Sequence, residues 1–126
     1  MSPEAQTVNA WHDALNSGDV ERLIALSHPD VEVGGPRGRG HGAQILREWV
    51  DRANVHLKPS RTFHEADKVI VEQEAEWQTA EPGDRQTVAS VFVVRSGLVT
   101  SVVRYPDLAS ALRAANMDES HESRSD

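Results

Sequence analysis

The 126-residue chain has no cysteine, few cations and no long apolar run. Without cysteine, disulfides, thiolate metal sites and cysteine nucleophiles are all excluded. Only 13 Lys and Arg stand against 20 Asp and Glu, a formal net charge of −7. This balance argues against nucleic acid as a partner, because that affinity depends on clustered cations. No stretch approaches the roughly 20 apolar residues that span a bilayer, and the first residues lack a signal-peptide pattern. We therefore predict a cytoplasmic domain with no membrane partner.

The histidines and serines form no recognisable catalytic or metal-binding motif. No His-x-x-x-His or Glu-x-x-His pair occurs, and no serine lies in a Gly-x-Ser-x-Gly elbow. We predict no metal, no cofactor and no acyl-enzyme chemistry. His12, beside Trp11, is a candidate proton shuttle near neutral pH, but its neighbour Asp13 favours a place on the solvated shoulder of a helix.

The first half of the chain has helical periodicity. Apolar residues recur at three- and four-residue spacing over residues 3–16, again after Asp19, and over residues 42–54. A short strand is predicted at Val31-Glu32-Val33, and the glycine-dense residues 34–42 predict a loop.

The second half changes to a period of two. It predicts four strands joined by short turns, including Pro82-Gly83-Asp84 and Ser96-Gly97, and therefore an antiparallel meander. These strands lie near residues 56–66, 69–79, 86–95 and 98–105. A last short helix carries Leu108, Ala111, Leu112 and Ala115. We predict a single α+β domain over residues 1–116 and a disordered acidic tail over residues 117–126.

One predicted strand suggests a second subunit. Residues 88–94 are apolar at both parities, although a strand with one wet face should alternate, as Glu72, Glu74 and Glu76 do. Three or four short helices cover only one side of a sheet. We therefore predict a homodimer formed through the sheet.

The order of elements and several motifs resemble the nuclear transport factor 2-like superfamily and its SnoaL-like branch. The resemblance covers about residues 5–115 and is carried by these motifs: Trp11-His12-Asp13-Ala14-Leu15-Asn16-Ser17-Gly18-Asp19, Pro29-Asp30-Val31, Gly42 with Trp49, Val91-Phe92-Val93-Val94-Arg95-Ser96-Gly97-Leu98-Val99 and Arg104-Tyr105-Pro106-Asp107. It implies a cone-shaped, curved antiparallel or mixed sheet packed against three N-terminal helices. It also implies a ligand pocket at the mouth of the cone, but it does not determine the activity.

The resemblance makes Asp107 the candidate general acid or base, since SnoaL-like enzymes place an acid just after the last strand. A carboxylate enclosed by Trp and Val would have its pKa raised by desolvation. The alternative is a helix N-cap, because Asp107 directly precedes an apolar helical run.

Seven residues are candidate ligand contacts. Gln73 and Trp77 share one strand face, Tyr105 could bring a phenol to the rim, and the loop arginines could bind an anion. The full set is Trp11, Trp49, Gln73, Trp77, Tyr105, Arg37 and Arg39. The alternative is that tryptophans on the apolar stripe of a helix belong to the core, and that a glycine-rich loop is exposed to solvent.

Two functions follow from these candidates. The first is a small-molecule pocket, either a binder or a cofactor-free isomerase, cyclase or hydrolase using general acid–base catalysis. The second is a non-catalytic dimerisation or partner-binding module. An open cavity containing a polar group favours the first, and a filled interior favours the second. An epoxide hydrolase of this family is expected to have an Asp-Arg-Asp set. Arg104 and Asp107 are present, but the sequence shows no second aspartate that would face inward.

Overall fold

The chain folds into a mixed β-sheet with helices on both of its faces. The computed structural model describes residues 3–35, 38–53, 55–77 and 85–123. The elements are α1 Pro3–Ser17, α2 Val20–Ala25, β1 Ser27–Gly35, β2 Gly38–His41, α3 Ala43–Ala53, β3 Val55–Glu65, β4 Lys68–Trp77, β5 Arg85–Arg95, β6 Leu98–Tyr105, α4 Leu108–Ala115 and β7 Glu122–Ser123. A 3-10 turn, Glu119–His121, precedes β7. The predicted α+β cone is confirmed.

In the described part of the chain, the sheet has seven strands in the order β2-β1-β6-β5-β4-β3-β7. Strands β3 to β6 form the predicted antiparallel meander, and β1 joins it by pairing in parallel with β6. The turn between β5 and β6 places Ser96 and Gly97 at φ values of 53° and 76°, which the right-handed twist of a two-residue hairpin requires. Register shifts between Pro59 and Arg61 and between Val93 and Val94 interrupt the regular pairing. Such bulges bend a strand and help the sheet to curve.

The inner face of the sheet, as we call the face covered by α1, α2 and α3, carries the larger hydrophobic core. Alternate residues of each strand point into it, because side chains alternate across a sheet. From the sheet it receives Leu57, Val69, Val71, Ala75, Val88, Phe92, Val94, Val99 and Val102, and from α1 it receives Val8, Trp11, Ala14 and Leu15. Trp11 and Phe92 are fully buried, with their ring centroids 5.2 Å apart.

The opposite, outer face has a second, smaller core beneath α4. Ile70 and Ala89 of the sheet pack there with Ala111, Leu112 and Met117. Strand β5 is apolar at both parities because its two faces belong to two cores of the same chain. The inference that this second face needs another subunit therefore overlooked α4, and the homodimer stays a prediction. Glu72, Glu74 and Glu76 lie on the outer face, partly or fully exposed, as predicted.

The glycine-rich segment is not entirely a loop. Residues 38–41 form β2, which pairs with β1 from Gly35↔Gly38 to Glu32↔His41. Glycine suits these positions because neighbouring side chains approach the backbone closely. A Cβ on Gly40 would lie 3.0 Å from Ile45, and one on Gly34 would lie 2.8 Å from the Arg39 side chain.

The predicted disorder of the C-terminal tail is wrong for residues 117–123. Met117 is buried, and β7 pairs with β3 at Thr62 and Phe63. The Arg61 guanidinium bonds both Glu119 and Glu122, so the acidic tail has a cationic partner on β3. Residues 124–126 and the predicted turn at residues 82–84 lie outside the described residues. None of the described helices is long and apolar enough to cross a membrane.

Candidate functional site

A chain of buried polar side chains crosses the inner face of the sheet. His12, Gln73 and Ser90 are 2%, 0% and 3% exposed. The Ser90 hydroxyl donates to Gln73 Oε1 at 2.9 Å, and Gln73 Nε2 donates to His12 Nε2 at 2.7 Å. His12 Nδ1 donates to the Val8 carbonyl at 2.8 Å, because a carbonyl oxygen only accepts. The polar groups are matched donor to acceptor, which defines the histidine tautomer and the amide orientation.

The position of His12 makes it a neutral structural acceptor. Burial lowers its pKa from 6.5 to about 4, although the bond to Val8 and the charge of Asp13 favour the protonated form. The ring packs against Trp11 and Phe92, with centroid distances of 5.7 and 5.4 Å. The expected position on a solvated shoulder is therefore wrong. A role as proton shuttle also loses support, because the Nε2 lone pair already accepts from Gln73.

A small cavity lies beside this polar chain, between α1, α3 and the sheet. Its volume is about 10 Å³, and it is lined by Trp11, Val33, Gly34, Trp49, Leu57, Ser90, Val102 and Arg104. This volume corresponds to about one water molecule. The described residues do not enclose the open pocket expected at the mouth of the cone, because the tryptophans and aliphatic side chains nearly fill the interior.

The two tryptophans of the cavity are held differently. Trp11 is fully buried, and its indole Nε1 donates to the Ser27 hydroxyl at 3.3 Å. Trp49 lies on α3, is only partly buried and faces Trp11, with a centroid distance of 6.3 Å and an angle of 30° between the rings. Both predicted aromatic contacts therefore line the cavity. Gln73 lies behind its wall and bonds the lining residue Ser90.

Asp107 lies away from the cavity, on the exposed surface. It is the N-cap of α4, and its Oδ1 accepts from the Ser110 backbone N–H at 2.7 Å. This backbone hydrogen bond, joined by one from the Ser110 side chain, lowers the pKa of Asp107. The enclosed environment and raised pKa expected of a general acid are therefore wrong, and the alternative interpretation as a helix cap describes the geometry.

Two further predicted contacts lie on the outer face. Tyr105 is directly opposite Ala89 and packs at the edge of the core under α4. Arg39 lies opposite Gly34 and forms a 3.5 Å ion pair with Glu32, which also accepts from Ser101. Neither residue lines the cavity. Arg37 and the side chain of Trp77 lie outside what the structure describes.

Ser90 and Arg104 are cavity residues that were not placed from the sequence. They are directly opposite each other on β5 and β6, and therefore share the inner face. The sequence does contain a clue to this, because side chains alternate along a strand and Arg104 therefore faces the side opposite Tyr105. What the sequence alone did not show was which side is concave. Among the described residues, no group of three or more His, Cys, Asp or Glu could hold a metal ion.

Comparisons with known proteins agree on the fold. The profile of the SnoaL-like domain family matches residues 8–102. No curated protein matches the sequence. The fold is similar to that of TerC co-crystallised with polyporic acid, at 20% identity and a TM-score of 0.75, covering 90% of this chain and 97% of TerC.

Two other solved structures give the same result. A putative polyketide cyclase from Sinorhizobium meliloti is 25% identical, with a TM-score of 0.70, over 79% of this chain and 94% of that one. A nuclear transport factor 2-like protein of unknown function from Burkholderia pseudomallei is 19% identical, with a TM-score of 0.76, over 90% and 97% of the two chains.

Proposed function

We propose that this chain, which belongs to the SnoaL-like domain family, binds a small hydrophobic molecule on the inner face of its sheet. The observation that carries the proposal is the cavity between Trp11 and Trp49, whose otherwise apolar wall contains Ser90 and Arg104. Small-molecule sites typically combine aromatic and aliphatic walls with a few oriented polar groups.

The buried polar chain behind Ser90 supports this proposal. Burying His12, Gln73 and Ser90 costs free energy unless every polar atom is paired, and an apolar core would avoid that requirement. In the described part of the chain, no buried side-chain nitrogen or oxygen lacks a partner. The chain of bonds holds the Ser90 hydroxyl in one position at the cavity wall. Such support is useful for orienting a ligand and unnecessary for packing alone.

Ligand binding requires the cavity to enlarge, since about 10 Å³ accommodates no organic molecule. Trp49 is the side chain we propose to move. It is partly exposed, whereas Trp11 is buried and bonded to Ser27. A rotation of Trp49 away from Trp11 would open a slot between the Trp11 indole, Leu57 and Val102. A flat ligand would then stack on Trp11.

Binding is better supported than acid–base catalysis. The described lining residues include no carboxylate. His12 is neutral, and its Nε2 lone pair already accepts a hydrogen bond from Gln73. Asp107 caps α4 on the surface. An isomerase, cyclase or hydrolase would need another proton carrier at the cavity. The similarity to a putative polyketide cyclase makes fused aromatic rings the first compounds to test.

The test is a titration with 2-naphthol followed by NMR. Binding should shift the indole N–H signals of Trp11 and Trp49. Trp49→Ala should increase the affinity, because it removes the side chain that closes the slot. Leu57→Phe should weaken binding by filling the cavity, whereas the matched outer-face variant Val93→Phe should not. Shifts confined to outer-face residues, or no difference between the two phenylalanine variants, would argue against this site.

A homodimer, or a partner-binding module, is the second candidate. It is supported by the nearly filled interior, which is the outcome that favours a module, and by Val91 and Val93, which stay partly exposed on the outer face beside α4. Light scattering at micromolar concentration should then give the mass of two chains, and Val93→Lys should reduce it to one. A monomeric wild-type protein would argue against the dimer. A cytoplasmic location stays a prediction.

A further inference from the structure

We infer that the ligand of this cavity carries a hydrogen-bond donor, a neutral hydroxyl or N–H group, and that Ser90 recognises it by accepting through Oγ. The inference rests on the proposed function and narrows its ligand to a phenol or another aromatic compound with a donating group. It follows from the direction of the hydrogen bonds that run from Ser90 through Gln73 and His12 to Val8.

The direction of these bonds is set in α1. Val8 offers a carbonyl oxygen, which only accepts, so His12 Nδ1 carries the proton between them. A neutral imidazole has one such proton, and burial keeps His12 neutral at pH 7 by lowering its pKa to about 4. His12 Nε2 therefore accepts, and Gln73 donates to it through Nε2.

The same constraint determines what the Ser90 hydroxyl can do. Because the Gln73 nitrogen bonds His12, the amide presents its oxygen to Ser90, and an amide oxygen only accepts. Ser90 therefore donates its single proton to Gln73 Oε1, at 2.9 Å. The Ser90 oxygen keeps its lone pairs, which can only accept. A ligand that forms a hydrogen bond with Ser90 must therefore supply the proton.

The other described side chains of the cavity wall offer no acceptor. Tryptophan and arginine side chains only donate, valine and leucine are apolar, and glycine has no side chain. Besides Ser90, the described lining residues are Trp11, Val33, Gly34, Trp49, Leu57, Val102 and Arg104. The Trp11 N–H already donates to Ser27, and Arg104 already has an interaction within the chain. Among these side chains, the Ser90 oxygen is therefore the atom that can accept from a ligand.

A buried acceptor distinguishes ligands that donate from those that do not. A group without a proton displaces water from Ser90 Oγ and does not replace its hydrogen bond, and an unpaired buried polar atom lowers affinity. A nitrile or ether oxygen in the same place also sets lone pairs against lone pairs. The Trp11 and Trp49 rings favour a flat apolar body. An aromatic ring with a hydroxyl or N–H substituent satisfies both parts of the wall.

The experiment compares three naphthalenes of similar shape by NMR titration at pH 7.5. The probes are 2-naphthol, which donates, 2-naphthonitrile, which only accepts, and 2-fluoronaphthalene, which does neither strongly. We expect the wild type to bind 2-naphthol about fivefold more tightly than either of the others. A cavity without this acceptor would give the reverse order for 2-naphthol and 2-fluoronaphthalene, because the hydroxyl is more costly to remove from water.

Two variants test the roles of Ser90 and Gln73. Ser90→Ala should lower 2-naphthol affinity about fivefold and leave 2-fluoronaphthalene affinity within about twofold. The matched variant Ser101→Ala removes a serine hydroxyl from the outer face and should change neither. Gln73→Met takes away the acceptor of the Ser90 proton, which can then turn towards a ligand. The affinity for 2-naphthonitrile should therefore rise relative to 2-naphthol, whereas a purely structural role of Gln73 would weaken all three probes alike.

The outcomes separate this inference from the proposed function. If the wild type bound 2-naphthonitrile or 2-fluoronaphthalene as tightly as 2-naphthol, recognition by an acceptor would be overturned and the cavity would remain the binding site. An unchanged ratio of 2-naphthol to 2-fluoronaphthalene in Ser90→Ala would have the same meaning. Binding of none of the probes, with no shift of the Trp11 indole signal, would overturn both proposals. If the variants do not fold, the order of the probes in the wild type decides.

Discussion

His12 should make the folded protein lose stability in mild acid. Its pKa is lowered by burial from 6.5 to about 4, so the unfolded chain takes up a proton at a higher pH than the folded one. Well above pH 6.5 both states are neutral at this residue, and it adds no pH dependence. Between pH 6.5 and about 4 the unfolded state is favoured progressively, and below pH 4 the loss levels off. At about 1.4 kcal/mol for each pH unit, the full loss is about 3 kcal/mol.

The measurement is urea unfolding followed by circular dichroism at pH values from 7.5 to 4. His12→Gln removes the titrating ring and keeps a side chain that both donates and accepts. The variant should be less stable at pH 7.5, because the bonds to Val8 and Gln73 are disturbed, but its stability should fall less on acidification. We expect the wild type to lose about 2 to 3 kcal/mol more than the variant over this range. His56→Gln, at an exposed position, is the matched control.

The difference between the two pH profiles is the decisive quantity. Other groups titrate in the same range, but they contribute equally to wild type and variant when they are distant from position 12. Parallel profiles for the wild type and His12→Gln would refute the argument that the folded protein holds this histidine neutral. A smaller loss in His56→Gln than in the wild type would show that the effect is not specific to burial.

Three further predictions concern bonds at the ends of the elements. Asp107→Ala should lower the thermal midpoint, whereas Asp107→Asn should largely preserve it, because asparagine also caps helices. Equal midpoints for Asp107→Ala and the wild type would contradict the capping role. Asn16→Ala should cost about 1 to 3 kcal/mol in urea unfolding, since Asn16 bonds both the N–H and the carbonyl of Leu57; a neutral effect would contradict this. Arg61→Met should speed amide exchange over residues 118–123, whereas the exposed Arg113→Met should not.

The order of the elements could be predicted because it depends on local periodicity. The stripes of α1 and α3 and the alternation in β3 to β6 are properties of neighbouring residues. Even the turn at Ser96-Gly97 is encoded in two positions. The short strand β2 was missed because glycine-rich sequences also form loops. Here glycine allows close approach to Ile45 and Arg39.

The errors concern residues whose surroundings come from distant parts of the chain. His12 was expected in solvent because its partner, Gln73, lies 61 residues away. The tail was expected to be disordered because its partner, Arg61, lies 58 to 61 residues away. Arg104 was not placed in the cavity because hairpin parity shows which residues share a face, but not which face is concave. These are tertiary facts, and a single sequence carries little signal for them.

The side chain of Asn16 also has a consequence for how copies of this protein can meet. By bonding both backbone groups of Leu57, its amide takes the place that a neighbouring strand would occupy along β3. Further along the same strand, Pro59 has no N–H to offer, and β7 occupies Thr62 and Phe63. Little of this border remains as a template for strand addition by a foreign chain, the route that leads to fibrils. Strand addition at this border is therefore disfavoured in the native protein, and loss of the Asn16 amide should increase aggregation.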